Sequence, residues 1–332
     1  MNTTELGERG SHSEGARQRE QDRMKAMRMH GRGGPDHLVY DAVPKPHPGP
    51  GEVLVRVAAT GIIVTELTWD ETYQTAAGAP RPVPIPGRDL CGVVAEVGAD
   101  VTDVAVGDAV YAMLGYGRDG AEAEYALAWP RELAPKPRTL DDVQAAAVPL
   151  SALTAWQALF SHAQVSQGQR VLIHGASGGV GTYAVQFAHG AGAQVLATAS
   201  ARHTDFLREL GADVIIDYAT TRFEDVAQDL DVVFDLVGGD TLRRSWPVVR
   251  EGGVLVSVVS PPPTEQALRP GVRFVWFIVE PSGEQLRQIG GLLDAGRVRP
   301  IVDRVFPLAE ARRAYEAGLH GHPRGKIVLT IR

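Results

Sequence analysis

The stretch "HGASGGVGTYAVQFAH", His174 to His189, satisfies two chemical motifs at once. Gly175, Gly178 and Gly181 have the spacing of a dinucleotide-binding turn, yet Gly175-Ala176-Ser177-Gly178-Gly179 also spells the G-x-S-x-G elbow of a serine hydrolase. In the first reading Gly175 permits the tight turn. Gly178, expected at a positive φ, lets the backbone approach a pyrophosphate, and Gly181 lets helix and strand pack closely while the helix N-terminal N–H groups face the phosphates. In the second reading Ser177 is a nucleophile that needs an acid and then a histidine downstream. Asp235 with His320 or His322 stand in that order, but Gly181 then has no task.

The next apolar run, "QVLATAS", separates the two readings. An NAD site normally closes this strand with Asp or Glu for the ribose 2′-hydroxyl, about 20 residues past the glycines. Here Ser200 and Ala201 stand instead and Arg202 follows. A 2′-phosphate would meet a hydroxyl and a guanidinium, which points to NADP(H) rather than NAD. Ser177 is accordingly read as a phosphate-loop residue and not a nucleophile.

These residues need a strand ending at His174, a glycine turn and a helix opening near Val180. Residues 1–23 carry five acids, four arginines and only Met1, Leu6 and Ala16 as apolar side chains, the composition of a disordered tail or leader. From Met24 to residue 148, short strands broken by Gly and Pro, such as "GEVLVRVAATGI", "CGVVAEVG", "GDAVYAML" and "AEYALA", predict an antiparallel barrel-like β domain. "PLSALTAWQALF" has helical spacing. From Gln169 the near-continuous apolar runs "RVLIHGA", "QVLATAS", "DVIIDY", "DVVFDLVG" and "GVLVSVV" alternate with amphipathic helices, as parallel strands buried on both faces do. The fold class is therefore α/β, with a doubly wound parallel sheet over residues 149–279. Residues 280–332 supply two helices and a strand that return to the first domain.

Composition narrows the function. The 332 residues suffice for two domains, and no apolar run reaches the roughly 20 residues of a membrane span. A formal charge of −7 with dispersed arginines argues against nucleic-acid binding. The single cysteine, Cys91, allows no intramolecular disulfide, and a cytoplasmic protein is expected. No Tyr-x-x-x-Lys occurs, so short-chain dehydrogenase chemistry is disfavoured.

In order along the chain, "PGPGEVLVRVAATGI", "PGRDLCGVVAEVG", "VGDAVYA", "AAAVPLSALTAWQAL", "VLIHGASGGVGTYAVQFA", "LGADVIIDY", "FDLVGG" and "RGKIVL" resemble the medium-chain dehydrogenase/reductase superfamily, specifically its zinc-free NADPH:quinone oxidoreductase branch. The resemblance implies a GroES-like catalytic domain split around a Rossmann domain, with cofactor and substrate in the cleft between them. It also implies homodimers joined through Rossmann edge strands, here "VRFVWFIV". It puts Thr154 beside the nicotinamide, Ser177, Gly178, Gly179 and Val180 at the pyrophosphate, and Ser200, Arg202 and Tyr218 at the adenosine 2′-phosphate. Lys326 of "RGKIVL" is carried over as a further cofactor contact.

Zinc-dependent members place a cysteine shortly after the "TG" and a His-Glu pair after the "PG". This chain has Ile62 and Ile63, and then Arg88 and Asp89, so no catalytic metal is expected. Reduction of a quinone or enone stays feasible without a Lewis acid, because the developing oxyanion needs only a hydrogen bond or water. Where the branch commonly has Asn and Tyr, this chain has Ile63 and Thr68. What remains is "TELTWDETY": Tyr73 could donate a proton or hydrogen bond to an enolate, and Trp69 could wall a flat ring. Arg88 and Asp89 are expected to pair with each other on the cleft floor, and His174 to be a satisfied core histidine. The leading reading is an NADPH-dependent quinone or enone reductase, with a biosynthetic tailoring enzyme as one form of it. An NADPH-binding protein without turnover and a Ser177 hydrolase are the alternatives.

Overall fold

A computed structural model of the chain describes residues 22–259, 261, 270–321 and 323–331. Of the expected tail, residues 1–21 lie outside the described residues, whereas Arg23 already opens β1 (Arg23–Met29), one residue before the expected boundary. This strand pairs antiparallel with β2 (Leu38–Pro44).

The barrel is built from β3 (Val53–Gly61), β4 (Asp89–Val97), β5 (Ala109–Met113), β6 (Tyr125–Ala128) and β7 (Leu133–Pro135). Side chains alternate between the faces of a strand, so Val53, Val55 and Val57 share one side of β3. There they pack with Leu90, Val94, Val110 and Leu133.

The parallel sheet follows, with β8 (Arg170–Ile173), β9 (Gln194–Ala199), β10 (Val214–Asp217), β11 (Leu230–Asp235), β12 (Val249–Ser257) and β13 (Arg273–Trp276) in the order β10-β9-β8-β11-β12-β13. Its strands are apolar on both faces. Val171, Ile173, Val232 and Phe234 point into one core, and Leu172, Leu196 and Val233 into the other. This is the GroES-like plus Rossmann arrangement. The strand order reverses between β8 and β11, where doubly wound sheets open a ligand crevice beyond their carboxyl ends.

The chain then returns to the barrel with two strands where one was expected. β14 (Val302–Pro307) runs parallel to β15 (Lys326–Thr330), and β15 pairs antiparallel with β3 through Val328 and Gly61. Side chains hold the crossing. The Tyr111 hydroxyl donates to the Leu286 carbonyl at 2.6 Å, and Gln157 both donates to the Glu280 carbonyl (2.8 Å) and accepts from its N–H (3.0 Å). Among the described residues no helix is long and apolar enough to cross a membrane.

Candidate active site

The crevice is made by the turn after β8. Gly175 has φ +69°, a left-handed conformation that favours glycine. A Cβ on Gly181 would lie 2.4 Å from the Gly175 carbonyl oxygen and 2.6 Å from the Ala176 Cα, so helix Gly179–Gly190 sits against the turn. Gly178 departs from expectation. It precedes the helix in extended conformation (φ −78°, ψ 179°), and a Cβ there would meet only the Gly175 oxygen, at 3.5 Å. Neither backbone torsion nor packing within the chain requires glycine at 178, and the turn is left open above it. No side chain caps this helix, which leaves its first N–H groups to a ligand.

Two cavities flank the turn. The larger, about 700 Å³, lies between barrel and sheet and is lined by Trp69, Thr154, Gly179, Val180 and Gly181 among others. The second, about 520 Å³, is lined by Ser177, Ser200, Arg202 and Tyr218. Gly175, Gly178 and Val237 line both, so a dinucleotide laid over the turn can reach from one to the other. An open, uncapped cradle of this kind fits a pyrophosphate. The Thr154 hydroxyl donates to the Leu150 carbonyl at 2.7 Å, which leaves its oxygen as an acceptor. Arg202 hydrogen-bonds His203 Nε2 at 3.1 Å and has no carboxylate partner among the described residues.

Other expected residues are elsewhere. Tyr73 does not line the cleft: its hydroxyl donates to the Leu67 carbonyl at 2.8 Å, and the Arg32 guanidinium lies 5.1 Å from its ring centre. Lys326 is buried beneath the turn, its ammonium 2.9 Å from Asp89 Oδ2 and donating to the Ile62 carbonyl at 2.9 Å. It braces the floor and does not line either cavity. The expected Arg88–Asp89 pair is not formed, because successive residues entering β4 project to opposite faces. Arg88 instead donates to Glu66 at 2.8 Å and to the Gly115 carbonyl at 2.8 Å. Asp89 faces Lys326 and accepts from the Leu150 N–H at 2.6 Å. Burial pushes its carboxyl up, against the lowering effect of Lys326.

His174 is fully bonded, to Thr198 and Ser245 at 3.0 Å each, and burial pushes its pKa down to about 3. No base reaches Ser177 among the described residues. Asp235 is buried and accepts from the Gly238 N–H and the Ser257 hydroxyl at 3.0 Å each, and His320 is exposed at the end of its own helix. His322 lies outside the described residues.

Sequence reasoning missed four features. Tyr116 lines the larger cavity and packs edge-on against Trp69, with ring centres 6.2 Å apart. Its only signal was a tyrosine between two glycines in "LGYGRDG". Leu236, Val237, Val258, Val259 and Trp276–Val279 form an apolar wall opposite, and Glu71 is the one charged side chain lining this cavity among the described residues. Arg244 also lines the second cavity, but its Nε donates to Glu224 at 2.6 Å, and this bond holds Glu224 down to about 2.

Comparison with known proteins agrees with this architecture. A family model described as the alcohol dehydrogenase GroES-like domain matches residues 49–138, and one described as zinc-binding dehydrogenase matches residues 210–329. A probable zinc-binding oxidoreductase, mitochondrial, of Arthroderma benhamiae is 36% identical over 305 residues, covering 87% of this chain and 91% of that protein. The NADPH-dependent alkenal/one oxidoreductase, chloroplastic, of Arabidopsis thaliana is 34% identical over 317 residues, covering 92% and 79%. The structure of the quinone oxidoreductase from Coxiella burnetii superposes with a TM-score of 0.86 at 34% identity, covering 93% of this chain and all of that one. With this fold, this glycine cradle and these relatives, the chain belongs to the medium-chain dehydrogenase/reductase superfamily, in its quinone-oxidoreductase-like branch, and is an oxidoreductase.

Proposed function

We propose that the protein binds NADPH across the glycine turn and reduces neutral, flat quinones or α,β-unsaturated carbonyls without a metal. The observation that carries this is the pair of cavities joined at Gly175 and Gly178, one walled by apolar side chains and the other holding Arg202 with no carboxylate partner among the described residues. When bound, the dinucleotide supplies the hydride of the reduction. The chain supplies position and desolvation. Thr154 offers an acceptor, Trp69 and Trp276 add apolar ring surface to the lining, and Glu71 disfavours an anionic substrate.

The matched model's description mentions zinc, but the residues at the positions of a catalytic site do not suit it. Ile62 and Ile63 have no donor atom, Arg88 is a cation, and Asp89 is engaged by Lys326. Among the described residues no three His, Cys, Asp or Glu side chains gather as a metal site. No step through a metal is therefore derived.

The test is consumption of NADPH with 1,4-naphthoquinone and with benzalacetone, before and after dialysis against a strong chelator. Turnover that survives dialysis and prefers NADPH to NADH is expected. Activity lost with stoichiometric zinc would overturn the metal-free reading, and tight NADPH binding without turnover on any quinone or enone would make the protein a nucleotide binder.

The resemblance also motivates a homodimer. Strand β13 pairs with β12 on one side and with no other strand among the described residues, so two such edges can join, and sedimentation at micromolar concentration checks it. A buried Cys91 and the lack of any second cysteine fit a reducing cytoplasm.

A further inference from the structure

Reduction of a carbonyl conjugate pushes an electron pair onto oxygen, so the site needs a donor aimed at where that charge develops. Neither the expected donor, Tyr73, nor the hydroxyl of Thr154 is available for this task. The Tyr73 hydroxyl is bonded to the Leu67 carbonyl outside the cleft, and the Thr154 hydroxyl is spent on the Leu150 carbonyl.

Tyr116 is placed differently. It lines the cavity and its ring is held by the edge-on contact with Trp69. Tyr116 is half-buried, and its hydroxyl has no hydrogen-bond partner among the described residues, so its proton is left to a ligand. The backbone on either side is clamped by buried charge. Arg88, fixed by Glu66 at 2.8 Å, donates to the carbonyls of Gly115 (2.8 Å) and Arg118 (3.2 Å), and Glu132 accepts the Gly115 N–H at 3.1 Å. The loop also packs closely at Gly117, where a Cβ, at φ +75°, would stand 2.5 Å from the Ala76 nitrogen. A donor held rigid before substrate arrives loses little on reorganisation.

We infer that Tyr116 donates the hydrogen bond that holds the substrate carbonyl oxygen and stabilises its oxyanion. The inference rests on the reductase reading proposed above. Burial raises the phenol pKa, so Tyr116 keeps its proton through the step. The enolate carbon then takes its proton from water, and enone, NADPH and one proton give saturated ketone and NADP⁺. Trp69, which also lines the cavity and carries an indole N–H, is the competing donor.

The experiment measures the carbonyl stretch of isotope-labelled benzalacetone in the ternary complex with NADP⁺, for wild type, Tyr116→Phe and Trp69→Phe. The stretch should fall in frequency in the wild type and in Trp69→Phe, and return to its value in apolar solvent in Tyr116→Phe. With NADPH, Tyr116→Phe should lower kcat about tenfold to a hundredfold with KM and NADPH affinity little changed. A stretch unshifted in the wild type, unchanged by Tyr116→Phe, or lost only in Trp69→Phe overturns the role of Tyr116. This vibrational result is read without turnover, whereas failure of the wild type to oxidise NADPH with any quinone or enone overturns the reductase reading alone.

Discussion

Two glycines three positions apart should fail in different ways when each gains one methyl group. A Cβ on Gly181 would stand 2.4 Å from the Gly175 oxygen, and real contacts of this kind stop near 3.0 Å, so helix and turn must separate by about 0.6 Å. Overpacking of this kind costs about 1–3 kcal/mol, which in a chain of 332 residues lowers Tm by roughly 1–4 °C. A Cβ on Gly178 meets nothing closer than 3.5 Å and the backbone there is already extended, so Gly178→Ala should leave the apo Tm unchanged or slightly raised. Its methyl enters the junction of the two cavities. The same 1–3 kcal/mol then falls on the ligand, and NADPH affinity should drop about five- to a hundredfold. Apo thermal unfolding and fluorescence titration with NADPH, run on both variants, read the two effects separately. Gly178→Ala binding NADPH as the wild type does, or melting as low as Gly181→Ala, would refute the cradle.

Arg202→Ala should weaken NADPH by about tenfold to a hundredfold through loss of charge-assisted bonds and leave NADH unchanged; equal loss for both cofactors would remove Arg202 from the 2′-phosphate. Ser177→Ala should lower NADPH affinity tenfold or less, and a fluorophosphonate should not label the wild type; covalent labelling at Ser177 would restore the hydrolase reading. Glu122 is buried and accepts the Tyr315 hydroxyl at 2.6 Å, and burial raises its pKa to about 8. The folded state therefore holds a proton that the unfolded chain releases near 4.3, so this contribution to stability is full below that pH and is lost as pH rises to about 8. Glu122→Gln should flatten the dependence of apo Tm on pH over that window; an unchanged slope would place the proton elsewhere.

The cofactor cradle was legible in the sequence because its constraints are local. Gly175 and Gly181 answer to a turn and a helix within eight residues, and the neutral end of "QVLATAS" fell beside that turn because a parallel strand of this length must end there. The apolar runs announced the doubly wound sheet for the same reason: a strand covered on both faces shows it residue by residue. Even here a local rule misfired, since Gly178 is extended and has no positive φ.

What only the tertiary structure decided depends on contacts between distant segments. Arg88 and Asp89 are neighbours in sequence, yet one reaches Glu66 and the carbonyls of the Tyr116 loop while the other meets Lys326 of the last strand. Of the tyrosines, the sequence pointed to Tyr73 and passed over Tyr116. Which of them borders the cleft was settled by how the 65–73 loop folds onto Leu67 and by how a buried guanidinium grips residues 115–118. Side-chain direction over such distances follows from packing and charge pairing in the assembled core, and these have no period or spacing to read along the chain.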